Sequence, residues 1–274
     1  MISKRNSILL WVFAVIFTLS AAIYQRATGP TYPIKGDIEI NGQSFNYKLL
    51  RTFSGENDAP ISITVPSDYK GRVKYRHFRS QEEWQGLEMN HNGEDLVAFL
   101  PNQPPAGKLE YVVSLEYKDK YYTLNEDPVV IRYKGAVPSF ILVPHVILMF
   151  LAMLYSTRTG LEAIGKGHRT YSYTTITLIT LGIGGMILGP IVQLYAFGDL
   201  WTGWPFGGDW TDNKTLVAFV FWVIAFFVLR KNKKNRLWPI IAFIVLLSIY
   251  MIPHSMGGSE LDYETGSVTT GLKE

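Results

Sequence analysis

Hydrophobic and polar positions divide this chain into two regions with different periodicities. In residues 34–133, apolar and polar residues alternate over short runs, as at Leu109, Tyr111 and Val113. A period of two predicts half-buried β-strands. Beyond residue 136 the apolar runs are longer and almost continuous, which predicts helices that cross a membrane. The pattern therefore predicts a β-rich region followed by a membrane region.

The apolar runs predict five spans. The first, Ile8–Tyr24, follows Lys4 and Arg5 and fits either a cleavable signal peptide or an uncleaved anchor. Its length and the bulky residues at its end favour the anchor. The other four predicted spans are Ser139–Tyr155, Tyr173–Phe197, Thr215–Leu229 and Leu237–Ile252.

Residues 30–135 are expected to form a domain outside the membrane. Several short strands separated by polar turns are typical of a β-sandwich, and Asn41-Gly42 between two alternating runs is a hairpin signal. The chain has no Cys, so the fibronectin-III type is a nearer analogy than a disulfide-bonded immunoglobulin domain. The predicted fold class is an α-helical transmembrane bundle of five spans with an external all-β sandwich of immunoglobulin or fibronectin-III type.

Lys and Arg residues cluster beside alternate ends of the spans, at Ser3–Arg5, Thr157–Thr170 and Arg230–Arg236. Basic loops stay on the cytoplasmic side, which places the N-terminus inside and the β region and C-terminus outside. No eukaryotic sorting signal is evident, so we expect a bacterial cytoplasmic (inner) membrane. The net charge is only +3 and the clusters are short. The expected partners are therefore the lipid bilayer and other envelope membrane proteins, and not nucleic acid.

These patterns divide the 274 residues into four segments. They are an anchor or signal segment at 1–29, the external (periplasmic) β-sandwich at 30–135, a four-helix transmembrane domain at 136–254 and an external polar tail at 255–274. Within the membrane domain, Gly185 and Gly189 form a GxxxG pair that Pro190 follows, which predicts close helix packing and a kink.

The predicted topology brings the unusual side chains to the outer face. His145 lies near the outer end of the second span and His254 at the outer end of the fifth. The loop between the third and fourth spans carries Trp201, Trp204, Asp209, Trp210 and Asp212.

Three interpretations of this set stay open. Two neutral imidazoles, His145 and His254, would ligate a haem iron while the tryptophans stack on the macrocycle. Alternatively, the two histidines with Asp209 and Asp212 would bind a divalent metal such as zinc. Tryptophans also collect at membrane interfaces without any ligand.

The same residues resemble the haem-handling membrane proteins of cytochrome c biogenesis. Those proteins carry a Trp-rich external loop that ends in an Asp-x-Lys element and is flanked by two external histidines. Here Trp201, Trp204, Trp210 and Asp212–Thr215 match the loop, and His145 and His254 match the flanking ligands. The resemblance implies a haem-handling or b-type haem membrane protein in which the two histidines ligate the iron.

No arrangement of residues is specific enough to name an enzyme. The predicted function is an envelope membrane protein whose external face, with its Trp-rich loop and two histidines, binds a cofactor or a partner protein. A transport or sensory subunit is a further alternative.

Overall fold

A computed structural model describes residues 2–253 and 257–271. The described residues form two compact units. The helical unit comprises the described parts of 1–30, 137–258 and 270–274, and the β unit comprises 31–136 and 259–269. The segment 259–269, which the sequence analysis assigned to a polar tail, thus belongs with the β-strands.

The helical unit contains long apolar helices. Their bounds are α1 Lys4–Ala27, α2 Ser139–Ile164, α3 Thr170–Leu181, a π-helical segment Gly182–Leu188, α4 Gly189–Phe197, α5 Trp210–Lys231 and α6 Leu237–Met251. Among the described residues, four helical stretches are long and apolar enough to cross a membrane: α1, α2, the continuous stretch Thr170–Phe197, and α5. In the part of the chain that the structure describes, α6 is a shorter apolar helix of 15 residues.

Small residues line the core between these helices. Ala152, Ala218, Ala225 and Ala242 are buried together beside Trp222. Small residues at an interface between helices let the two backbones approach each other closely. Alanine allows that close approach, and the large indole fills the remaining space.

The glycine-rich stretch before Pro190 forms the π-helical segment. Proline has no backbone N–H to donate, and the preceding Gly189 N–H donates to Gly184 O, five residues back. A Cβ at Gly184 would lie 2.8 Å from Leu148 Cβ, and one at Gly185 would lie 2.7 Å from Thr215 Cγ2. The predicted close packing is therefore confirmed at Gly185 and extends to Gly184, while Gly189 has no such tight contact.

The β unit is a curled, mostly antiparallel sheet. Its strands are β1 Ile34–Ile40, β2 Gln43–Leu49, β3 Thr52–Ser54, β4 Ala59–Thr64, β5 Lys70–His77, β6 Gln85–Asn92, β7 Asp95–Leu100, β8 Lys108–Tyr117, β9 Lys120–Thr123 and β10 Val129–Lys134. The order is β1-β2-β4-β7-β6-β5-β8-β10-β3, with β9 beside β8. Strands β3 and β10 are parallel. A second hairpin joins β11 Glu260–Leu261 to β12 Val268–Thr269.

Two local predictions for the β unit are confirmed. Asn41 and Gly42 have φ angles of 55° and 78°, and they join β1 to β2 with Ile40 opposite Gln43. In β8, alternate residues are buried in the core; they are Leu109, Tyr111, Val113 and Leu115.

The segment 259–269 packs on the β-strands through polar and aromatic contacts. Glu260 forms an ion pair with Lys108 and lies 3.6 Å from Arg79. The Leu261 N–H donates to Ala106 O at 3.0 Å, and the Tyr263 ring stacks on His77 with ring centroids 3.9 Å apart. The C-terminal segment is therefore an integral part of the β unit.

Candidate functional site

A chain of hydrogen bonds attaches the Trp-rich loop, residues 198–209, to the two helices that flank it. The Thr202 N–H donates to Asp212 Oδ2 at 2.7 Å. Gln193 Nε2 in turn donates to Thr202 Oγ1 at 2.6 Å. Asp212 and Gln193 are both buried. The loop is thus attached to α5 through Asp212 and to α4 through Gln193.

A second set of bonds fixes the backbone of Trp204 on both sides. Its N–H donates to Asn213 Oδ1 at 2.6 Å, and its carbonyl accepts from Trp201 Nε1 at 3.1 Å. Gly203 fits because a Cβ there would lie 2.6 Å from Asp212 Cβ. Only glycine leaves room for this close contact between the loop and α5.

Asp209 begins α5 as its N-cap. Its Oδ1 accepts from the Thr211 N–H at 2.7 Å and from the Asp212 N–H at 3.4 Å. An N-cap carboxylate satisfies backbone donors that a helix leaves unpaired. Asp209 and Asp212, predicted as metal ligands, therefore lie close together, and both accept backbone hydrogen bonds. Among residues 2–253 and 257–271, no group of three or more His, Asp or Glu side chains could hold a metal ion.

The aromatic side chains of the loop point outward from this fixed backbone. Trp204 is 69% exposed, Phe206 83% and Trp210 41%, while Trp201 is half-buried. The buried polar groups of the loop therefore hold the backbone, and its rings remain available for contacts with something outside the helical unit.

His145 lies in the second turn of α2 beside the π-helical segment. Its Nδ1 is 2.9 Å from Gly184 O. A carbonyl oxygen only accepts, so Nδ1 carries the proton, and in a neutral ring Nε2 is left with a lone pair. The ring lies beside Gly189, the first residue of α4, since a Cβ there would be 3.9 Å from His145 Cε1. The Trp-rich loop follows the other end of α4, about 13 Å of helix away. His254, the other predicted ligand, lies outside the described residues.

A second polar cluster was missed by the sequence analysis. Arg158 and Glu162 are buried in α2 and form an ion pair of 2.7 Å between Nη1 and Oε2. The prediction ended this span at Tyr155, but the helix continues to Ile164. The two charges are four residues apart on one side of the helix, so they can pair without interrupting it. That spacing was the available signal.

No family model matches this chain, and no curated protein matches it either. Its function is therefore inferred from the geometry described above.

Proposed function

We propose that this chain is a polytopic envelope membrane protein whose Trp-rich loop binds a partner protein or a cofactor outside the cytoplasm. One observation carries the proposal: exposed aromatic rings stand on a backbone that buried Asp212 and Gln193 hold in place. Ordering a loop before binding lowers the entropy lost in the complex. Tryptophans in such a position are the residue type that most often dominates binding energy.

The proposed membrane orientation has the N-terminus in the cytoplasm and the β unit outside a bacterial inner membrane. The basic segments Ser3–Arg5 and Arg230–Arg236 support it, together with Lys166 and Arg169 in the part of Thr157–Thr170 that follows α2, since each would lie on the cytoplasmic side. The packing of 259–269 on the β-strands adds a second argument. The chain leaves the β unit at 136 and rejoins it at 259, so it must cross the bilayer an even number of times between these points.

This parity supports α6 as the fifth span. The helices α2, Thr170–Phe197 and α5 supply three crossings, and a fourth is needed to return to the same side. α6 has 15 residues, about 22 Å of helix against a hydrocarbon core of about 30 Å. Local thinning of the bilayer accommodates such a short span.

We further propose that the curled sheet of the β unit is a sandwich of immunoglobulin or fibronectin-III type. Its short, mostly antiparallel strands support this proposal.

Haem binding is the second candidate function. The hydrogen bond from His145 Nδ1 to Gly184 O favours it, because metal-ligating histidines typically donate their other ring N–H to a carbonyl or carboxylate. His254 would be the second ligand. Protein purified from its native membrane should then show a Soret absorbance band. The variants His145→Ala and His254→Ala should each lose it, and an absent band in the native protein would exclude this candidate.

A photo-crosslinking experiment tests the main proposal. Benzoylphenylalanine replaces Phe206 in the loop, and in a matched control it replaces Tyr121, which is 72% exposed in the β unit. After irradiation in native membranes, the probe at 206 should give one discrete adduct that the probe at 121 does not give. The adduct should disappear when Asp212→Ala loosens the loop. Adducts at 206 that contain only lipid would show that the loop is an interfacial belt.

A further inference from the structure

Arg158 is a charged side chain buried in a membrane-spanning helix. It is 1% exposed, and its ion-pair partner Glu162 is 2% exposed. Ionisable groups at such positions are unfavourable unless other groups compensate the loss of water. Glu162 compensates one edge of the guanidinium. Among residues 2–253 and 257–271, neither Nε nor Nη1 of Arg158 finds a hydrogen-bond partner. Glu162 therefore offsets the charge without satisfying these N–H groups, and the remaining compensation comes from the faces of the guanidinium and from Nη2.

The N-terminal helix α1 supplies much of that compensation. The guanidinium lies 5.6 Å from the centre of the Trp11 ring and 5.1 Å from that of Tyr173 in α3. Nη2 donates to Ser7 Oγ at 3.3 Å. Trp11 also meets Tyr155 of α2 edge to face, with centroids 5.3 Å apart. Two of the side chains around Arg158 therefore come from α1, and the others come from α2 and α3.

The rest of α1 has few other specific contacts. Only 17% of its apolar window is buried, and its buried residues are the small or polar Ala14, Thr18 and Ala21. Apolar contact between helices contributes little in lipid, because lipid tails satisfy the same surface. The cation–π and hydrogen-bond contacts at Arg158 are strong there because the surroundings have a low dielectric constant.

We propose that Arg158, Tyr155 and Tyr173 form a docking surface for α1, and that α1 stays attached as a permanent member of the helical unit. Cleavage after the small residues Ser20–Ala22 would remove both Ser7 and Trp11. Arg158 would then face lipid with only Glu162 and Tyr173 beside it. The docking surface thus decides between the two sequence interpretations of the first span in favour of the anchor.

A cleavage experiment tests the docking surface on the full chain. A protease site is inserted between Thr28 and Gly29, just after α1, and the protein is cut in mild detergent. α1 should remain bound to the rest through size-exclusion chromatography. The variant Ser7→Ala with Trp11→Ala should retain α1 with about tenfold lower affinity, the change expected for loss of a desolvated cation–π contact.

A matched control distinguishes this contact from general hydrophobicity. Phe13→Ala with Ile16→Ala removes large side chains from the exposed face of α1, where the two residues are 52% and 60% exposed. After cleavage, this control should retain α1 as well as the cut protein without substitutions. Equal loss of α1 in both variants, or loss from the unsubstituted chain, would overturn the proposal.

The N-terminal region of the native protein gives a second measurement that needs no variant. Mass spectrometry of proteolytic peptides from protein purified from its native membrane should detect residues 4–27. A shorter chain that begins after Ala22 would overturn the proposal, whatever the variants show.

Discussion

The helical unit and the β unit each contain an ion pair beside a terminal segment of the chain, but the two pairs are built differently. In the helical unit both charges, Arg158 and Glu162, belong to α2, and their side chains are 1% and 3% exposed. The terminal segment α1 contributes a ring and a hydroxyl. In the β unit the terminal segment itself carries the charge: Glu260 meets Lys108, and their side chains are 15% and 18% exposed.

If the helical unit lies in a membrane as proposed, the difference follows from the solvent that each segment leaves: water for 259–269 and lipid for α1. In water, burying apolar surface is favourable by itself, so the rings and aliphatic groups of 259–269 drive docking and the pair with Lys108 sets its position. In lipid, apolar burial discriminates poorly between faces of a helix. The buried charge of Arg158 needs polar and aromatic neighbours. Because Ser7 and Trp11 supply them, they specify which face of α1 packs inward.

The largest expected effect comes from breaking the pair in the helical unit. Arg158→Ala leaves Glu162 buried without its partner, so we expect the free energy of unfolding to fall by about 3–5 kcal/mol. Denaturant titration of the detergent-solubilised chain measures it. The control Lys234→Ala changes an exposed charge and should stay within about 0.5 kcal/mol. If Arg158→Ala lowers the free energy of unfolding by less than about 1 kcal/mol, the pair is as weak as a surface ion pair. The contrast between the ion pairs of the two units would then be wrong.

A smaller effect is expected in the β unit. Lys108→Ala removes the nearer partner of Glu260 but leaves Arg79 at 3.6 Å, so docking of 259–269 should weaken by about 1.5–3 kcal/mol. The reporter is amide hydrogen exchange at Leu261, whose N–H donates to Ala106 O; exchange should accelerate at least about tenfold. Lys74→Ala, an exposed lysine of β5, serves as the control. Unchanged exchange in Lys108→Ala would mean that the ion pair does not hold the segment.

Local signals predicted the elements of both units better than their contacts. Asn41-Gly42 predicted its hairpin because the two residues themselves adopt the left-handed conformation that the turn requires. The end of α2 was misplaced because Arg158 interrupts an apolar run, and an apolar count does not include the compensating Glu162. The contact between Lys108 and Glu260 joins residues 152 positions apart, and such a distance leaves no periodic pattern in the sequence.

The candidate site was predicted only in part, because its local residues are visible in the sequence and its contacts are not. Trp201, Trp204 and Trp210 stand out by composition. Trp201 and Trp204 do lie on the loop, while Trp210 is the first residue of α5. The groups that fix this loop, Gln193 and Asn213, are common polar residues whose role depends on where α4 and α5 bring them. Whether His145 and His254 act together stays a prediction, since His254 lies outside the described residues.

The smallest expected effect tests how far the terminal segment of the β unit depends on one hydroxyl. Tyr263 Oη accepts from the Lys108 N–H at 2.9 Å and donates to Gln103 Oε1 at 3.0 Å. Tyr263→Phe removes both bonds but keeps the stacking on His77. Docking, measured again by exchange at Leu261, should weaken by about 0.5–1.5 kcal/mol.

The same hydroxyl makes docking sensitive to high pH. Burial raises the pKa of Tyr263 from its ordinary value of 10.0 to about 12. Because the folded pKa is the higher one, the stabilising contribution of the neutral phenol is fully present below pH 10 and is lost as the pH rises through about 12. Burial also lowers the pKa of Lys108, so the ion pair with Glu260 weakens over the alkaline range in wild type and variant alike.

An absorbance titration measures the pKa of Tyr263. Subtracting the phenolate absorbance of Tyr263→Phe from that of wild type isolates the signal of Tyr263. A midpoint near 12 in that difference confirms the buried, hydrogen-bonded phenol, whereas a midpoint near 10 would show that Tyr263 is in water and does not contribute to docking.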